Sequence, residues 1–187
     1  MAYSVININT CSDITSNNNE SMKRLESIYR DDELWLICME EIEAAESGRI
    51  YCRHDFTHLM DVARIAYILS VEEALCIQKD VIYAAALLHD IGRSKEYTDG
   101  IPHDEAGAII AEEILKRSSY SEKEREAIIT AIRDHRGHYV PEEASGLIER
   151  LSYVIKRADK ESRLCLSCDA RDTCKWPDDK KNLYIKY

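Results

Sequence analysis

Gln78-Lys79-Asp80-Val81-Ile82-Tyr83-Ala84-Ala85-Ala86-Leu87-Leu88-His89-Asp90-Ile91 is the stretch that decides the fold. Its apolar residues follow a helical period, so it reads as a buried helix over 78–91. The run is too short for a membrane span. It ends on His89 and Asp90, and a core does not take in such residues unless something compensates them.

Outward from this helix the same periodicity recurs over 56–72, 103–117, 122–136 and 144–162. A further helical stretch precedes these, from Ser21 to Ser47, with Gly48 as its stop. Ser121-Glu122-Lys123-Glu124 fits a capping box, and Pro102 and Pro141 stand just before helical segments. The chain has six glycines and few alternating β-branched runs, so no sheet is expected. The expected fold is all-α, a compact helical bundle with an irregular C-terminal tail. Its boundaries are a mobile polar N-terminal tail over 1–20, the helical domain over 21–163 and a cysteine-containing extension over 164–187.

The 187 residues carry 25 basic and 35 acidic side chains, a formal net charge of −10. Such a surface repels a nucleic-acid backbone, which argues against general nucleic-acid binding. A small phosphorylated substrate remains compatible if a bound cation reverses the local field. No apolar run suggests a membrane span and Met1 to Ser16 lacks a secretory pattern, so a cytoplasmic location is expected. In that compartment the seven cysteines are expected to be reduced, with Cys38 and Cys76 packed on helices.

Each segment places an ionisable residue in line with its buried face. His58 aligns with Val62, Ile65, Ala66 and Leu69, and His89 with Ile82, Ala85 and Ala86. His103 aligns with Ala106 and Ile110, His135 with Ile128, Ala131 and Ile132, and Asp159 with Leu151, Ser152 and Ile155. One such histidine is usually a satisfied core residue. Convergence of all these stripes on one core would gather imidazoles and carboxylates, which are suitable ligands for a cation that offsets their burial. Asp90 adds a carboxylate beside His89. His54 has no helical stripe and reads as a rim or surface residue.

His58-Leu59-Met60-Asp61-Val62-Ala63-Arg64, then Leu87-Leu88-His89-Asp90-Ile91-Gly92, then Ala158-Asp159-Lys160 resemble the H…HD…D pattern of the HD phosphohydrolase superfamily over residues 50 to 163. The resemblance implies a divalent metal held by His58, His89, Asp90 and Asp159, and hydrolysis of a phosphate ester or anhydride by metal-activated water. It casts Asp90 as the group that orients that water or accepts its proton. Arg93, Lys160 and Arg163 are candidates to hold substrate phosphate, or are ordinary surface charges. His103 and His135 resemble the extra ligands of two-metal members, similar to the bacterial enzymes that cleave diadenosine tetraphosphate symmetrically. His138 competes with His135 for that position, and the helix phase favours His135. The implied cofactor is one or two divalent ions, with Fe, Mn, Zn, Mg, Co and Ni not distinguished. The implied substrate is a nucleotide or dinucleotide. The oligomeric state stays open, a dimer included.

Cys165-x2-Cys168-x5-Cys174 follows the last helix, with Cys52 a candidate fourth partner. The cluster reads as a zinc or iron–sulfur site, as reduced thiols in a mobile tail, or as a redox disulfide. Two other functions use the same residues. A di-iron oxygenase would show iron and oxygen-dependent turnover, and a non-catalytic metal-containing binding module would show no turnover on any phosphate.

Overall fold

The computed structural model describes residues 18–136 and 146–187. The expected N-terminal tail up to residue 17, His138 and Pro141 lie outside the described residues. Those described fold into eight α-helices and no strand: α1 Asn18–Tyr29, α2 Glu33–Ala45, α3 Phe56–Glu72, α4 Lys79–Leu88, α5 Arg93–Asp99, α6 His103–Lys116, α7 Glu122–Asp134 and α8 Leu147–Glu161. Single 3-10 turns at Cys165–Ser167, Arg171–Thr173 and Asp178–Lys180 make up the irregular tail.

The bundle is organised around α4, in which every residue from Asp80 to Leu88 is buried. Helices α1, α3, α7 and α8 pack on it. Ala84, Ala85 and Ala86 are 0% exposed, and their small side chains leave room for neighbours on all sides. The N-terminal end of α4 is fastened by charge. Buried Asp80 pairs with Arg24 of α1, which also reaches Glu124 of α7 at 2.7 Å. The Tyr120 hydroxyl donates to the Asp80 carbonyl at 3.2 Å.

The structure corrects the expected elements in three places. The single helix over Ser21–Ser47 is two helices, broken at Asp32. Asp32 takes an extended backbone and its carboxylate accepts the Trp35 N–H at 3.1 Å, an N-cap that outcompetes continuation of α1. Arg117 holds the same carboxylate with two donors at 2.9 Å. Helix α5 was not expected, because seven mostly polar residues carry no apolar period. It stops where Gly100 adopts φ 73° and donates to Glu96. Helices α4 and α7 end at Leu88 and Asp134, so His89 and His135 are the first residues beyond them. The capping box at Ser121 and Glu124 is present as read. Cys38 is buried on α2, but Cys76 follows α3 with φ 54° and is disulfide-bonded rather than a reduced thiol on a helix.

Candidate metal centre

Five histidines and two aspartates meet at one end of the bundle. Asp55 caps α3 by accepting the His58 N–H, which starts the helix so that His58 faces inward from its first turn. His103 is the first residue of α6, and Asp159 lies in the last turns of α8.

The helix ends also aim the imidazoles. The last carbonyls of a helix lack intrahelical donors. His89 Nδ1–H donates to the Ala86 carbonyl at 2.7 Å, and His135 Nδ1–H to the Ile132 carbonyl at 2.5 Å. His103 Nδ1–H donates to Glu96 at 3.0 Å. A carbonyl or carboxylate only accepts, so a proton sits on Nδ1 and Nε2 is the nitrogen that faces the site.

Asp90 stands at the centre with one oxygen on each side. Oδ2 lies 3.1 Å from His89 Nε2 and 3.6 Å from His58 Nε2. Asp159 Oδ1 closes that set, at 3.6 Å from His58 Nε2 and 3.8 Å from His89 Nε2. Oδ1 of Asp90 lies 3.5 Å from His103 Nε2, whose ring in turn meets His135, Nε2 to Nε2, at 3.2 Å. The donors of His58, His89, Asp90 and Asp159 all lie within 4.8 Å of one another, as do those of Asp90, His103 and His135.

These residues fit cations. His58 Nε2 and His89 Nε2 are buried without a hydrogen-bond partner. His103 and His135 turn Nε2 lone pairs toward each other, a repulsive contact that a shared cation would relieve. An ion with bonds of roughly 2.0–2.2 Å sets its donors about 3–3.6 Å apart, close to the spacings found.

Charge is unevenly placed among these side chains. Burial opposes the charged form of His89, yet the Asp90 and Asp159 carboxylates lift its pKa to about 10. Burial also opposes the charged form of Asp90, but His89, then His58, hold it well below the usual carboxylate range. Burial and the neighbouring His89 push His135 down to about 4, so it is neutral. A divalent ion must therefore displace a proton from His89. Below about pH 10 that proton competes, so affinity rises with pH, by about tenfold per unit for one proton displaced. Metal titrations at pH 6.5, 7.5 and 8.5 should show it, with about one proton released per first ion bound; a pH-independent affinity contradicts it.

Sequence reasoning misplaced His54. It is 9% exposed rather than at the rim, with Nδ1 2.5 Å from Glu46 and Nε2 3.9 Å from Asp90 Oδ2. Glu46 also accepts the His54 backbone N–H at 2.7 Å and a Tyr97 hydroxyl bond. Against burial, which raises it, these hydrogen bonds bring the Glu46 carboxyl down to about 2. The signal for His54 was its place one residue before the Asp55 cap, not any period.

Arg93 is engaged by protein rather than free for phosphate: Nε donates to Asp90 Oδ1 at 2.9 Å and Nη1 to Glu96 at 2.8 Å. Lys160 is exposed, whereas Arg163 lines a cleft of about 770 Å³ that opens beside His58. Arg49, Arg53, Arg171, Lys175 and Lys181 share that lining, against the carboxylates of Asp55 and Asp61. Cys52, Cys165, Cys168 and Cys174 face the same cleft, but neither tight donor set includes a cysteine. Gly92, directly after the His-Asp-Ile run, is pressed against α6. A Cβ there would stand 2.1 Å from the His103 carbonyl oxygen and 2.3 Å from the Gly107 nitrogen.

The domain is all-helical among the described residues, and its histidines and aspartates form two sets that could hold metal ions. The HD domain profile matches residues 55–164, more than half of the chain, and the chain belongs to that family. An uncharacterized protein of Clostridium beijerinckii is 40% identical over 166 residues, covering 89% of this chain and all of that protein. The putative phosphohydrolase YueE of Bacillus subtilis is 34% identical over 120 residues, covering 58% of this chain and 65% of YueE. The crystal structure of a predicted HD superfamily hydrolase from an uncultured Thermotogales bacterium superposes with a TM-score of 0.53 at 25% identity. That match covers 69% of this chain and 66% of the Thermotogales chain, so for both named hydrolases it spans just under two thirds of their length. No helix among the described residues is long and apolar enough to cross a membrane.

Proposed function

We propose that this protein is a phosphohydrolase that cleaves a phosphate ester or anhydride of a small substrate, a nucleotide or dinucleotide, with two divalent ions sharing Asp90. The observation that carries the reading is Asp90 itself, with one oxygen in each donor set. Bound there, the ions would supply Lewis-acid polarisation of a phosphoryl oxygen and a water of lowered pKa.

The chain's own residues supply the rest. Asp90, kept ionised and held by Arg93, fixes the distance between the two donor sets. Its depressed pKa makes it a poor proton acceptor, so its part is to hold and orient. The cationic lining of the cleft beside His58 offers several donors to an extended polyphosphate, on a protein whose net charge would otherwise repel one. The YueE resemblance points the same way.

A panel of nucleotides and dinucleoside polyphosphates, assayed with added manganese, iron, cobalt or magnesium, tests the reading. Turnover should appear with at least one ion, stop on chelation and return on readdition. No phosphate or nucleotide product with any ion would refute it.

A further inference from the structure

Cys52 precedes α3, whereas Cys165, Cys168 and Cys174 follow α8, yet all four line the same cleft. The backbone holds them there. Cys165 opens a 3-10 turn and the Cys168 N–H closes it on the Cys165 carbonyl at 3.4 Å. Cys174 closes the next turn in the same way. The Tyr51 hydroxyl donates to the Thr173 carbonyl at 3.1 Å, which fastens the neighbour of Cys174 to the neighbour of Cys52. Burial pushes the Cys52 thiol up, and Cys165 and then Cys174 add to the shift.

Little else orders this segment. From Leu164 onward only Asn182 is buried, through bonds from its amide to the Lys160 and Arg163 carbonyls at 2.8 and 2.9 Å. Ordering a residue costs about 1–2 kcal/mol, and the partial burial of Leu166, Trp176 and Tyr187, each about two-fifths exposed, offsets little of it. Small segments of this kind are held by disulfides or by metal. These four cysteines are free, which leaves metal. Arg163, Lys175 and Lys181, which line the same cleft, would ease the gathering of thiolates.

The spacing selects the kind of centre. One tetrahedral zinc with bonds of roughly 2.3 Å draws its four sulfurs to about 3.8 Å from one another. Among the described residues, no donor set packed within 4.8 Å contains a cysteine. The four sulfurs are therefore not gathered to the spacing of a single zinc, whereas a four-cysteine iron–sulfur cluster holds its thiolates farther apart.

We propose that Cys52, Cys165, Cys168 and Cys174 ligate a [4Fe–4S] cluster in the cleft, separate from the histidine–aspartate centre. The cluster replaces the missing apolar core of the tail and fixes Arg163, which stacks 5.0 Å from the Trp176 ring, beside His58. The inference stands whether or not the Asp90 centre hydrolyses phosphate.

The test uses the full chain, purified without oxygen and reconstituted with ferrous iron and sulfide. About four acid-labile sulfides per chain should bind, with broad visible absorption. Cys168→Ser should lower sulfide at least tenfold, and Cys38→Ser, deep in the core, should leave it unchanged. A second reading needs no variant: the four thiols should resist alkylation when loaded and all react once the cluster is stripped. The proposal is overturned by zinc at one per chain that Cys168→Ser removes, by absence of sulfide, or by equal alkylation before and after reconstitution.

Discussion

Asp90→Ala is expected to remove both ions and to lower hydrolysis by roughly 10³-fold or more, because a catalytic ion contributes several kcal/mol at the transition state. The magnitude follows from position. Asp90 alone stands in both donor sets, and it is 2% exposed between His58, His89 and His103. Replacing it leaves imidazoles from both sets without a common carboxylate. His103→Ala or His135→Ala touches one set only, so each should lose one ion and keep the other. Elemental analysis of the three variants beside wild type, paired with turnover on the best substrate, separates the cases. Two ions retained in Asp90→Ala, with full activity, would show that the centre is elsewhere.

Gly92→Ala is the second large effect, and it acts through backbone. The added methyl would overlap the His103 carbonyl and the Gly107 nitrogen and Cα, none of which is the end of a flexible side chain. Helix α6 must move away, at a cost of about 3 kcal/mol, the upper end for overpacking, because the clash is with backbone. In a chain of this size that is roughly a 10 °C fall in melting temperature. Since His103 begins α6, the same displacement takes its ring away from Asp90. Thermal unfolding and metal content should therefore fall together, with the His103–His135 set emptied first. Gly48→Ala serves as the control, because a Cβ at Gly48 meets nothing within 4 Å. Equal melting temperatures for the two variants would rule out the close approach.

What the sequence disclosed follows from which signals are local. The helices carrying a long apolar stripe, α3, α4, α6, α7 and α8, were legible because period and burial coincide in them. So was the alignment of His58, His89, His103, His135 and Asp159 with buried faces, and the structure places their donor atoms around Asp90. The break at Asp32 was readable in principle as an N-cap, but Asp32 lies in a charged run from Arg30 to Glu33 that an exposed helix face could equally carry. Helix α5 and the burial of His54 were not readable. Helix α5 owes its place to Gly100 and to Arg93 bridging Asp90 and Glu96, and His54 owes its burial to Glu46, eight residues earlier. Contacts of that kind arise only once the chain has folded. The cysteine motif was visible, but the cationic lining it shares with Arg163 was not.

The bonds from His89 to Ala86 and from His135 to Ile132 do two tasks with one proton each. They terminate α4 and α7, and they aim Nε2 into the site. Transient fraying of either helix end therefore swings an imidazole out of place, and a bound ion must hold the helix end shut. Local opening and ion release become one event. Amide hydrogen exchange over the last turns of α4 and α7 should slow when the ions bind, while the N-terminal turn of α4, tied down by Asp80 and Arg24, should exchange at the same rate with and without them.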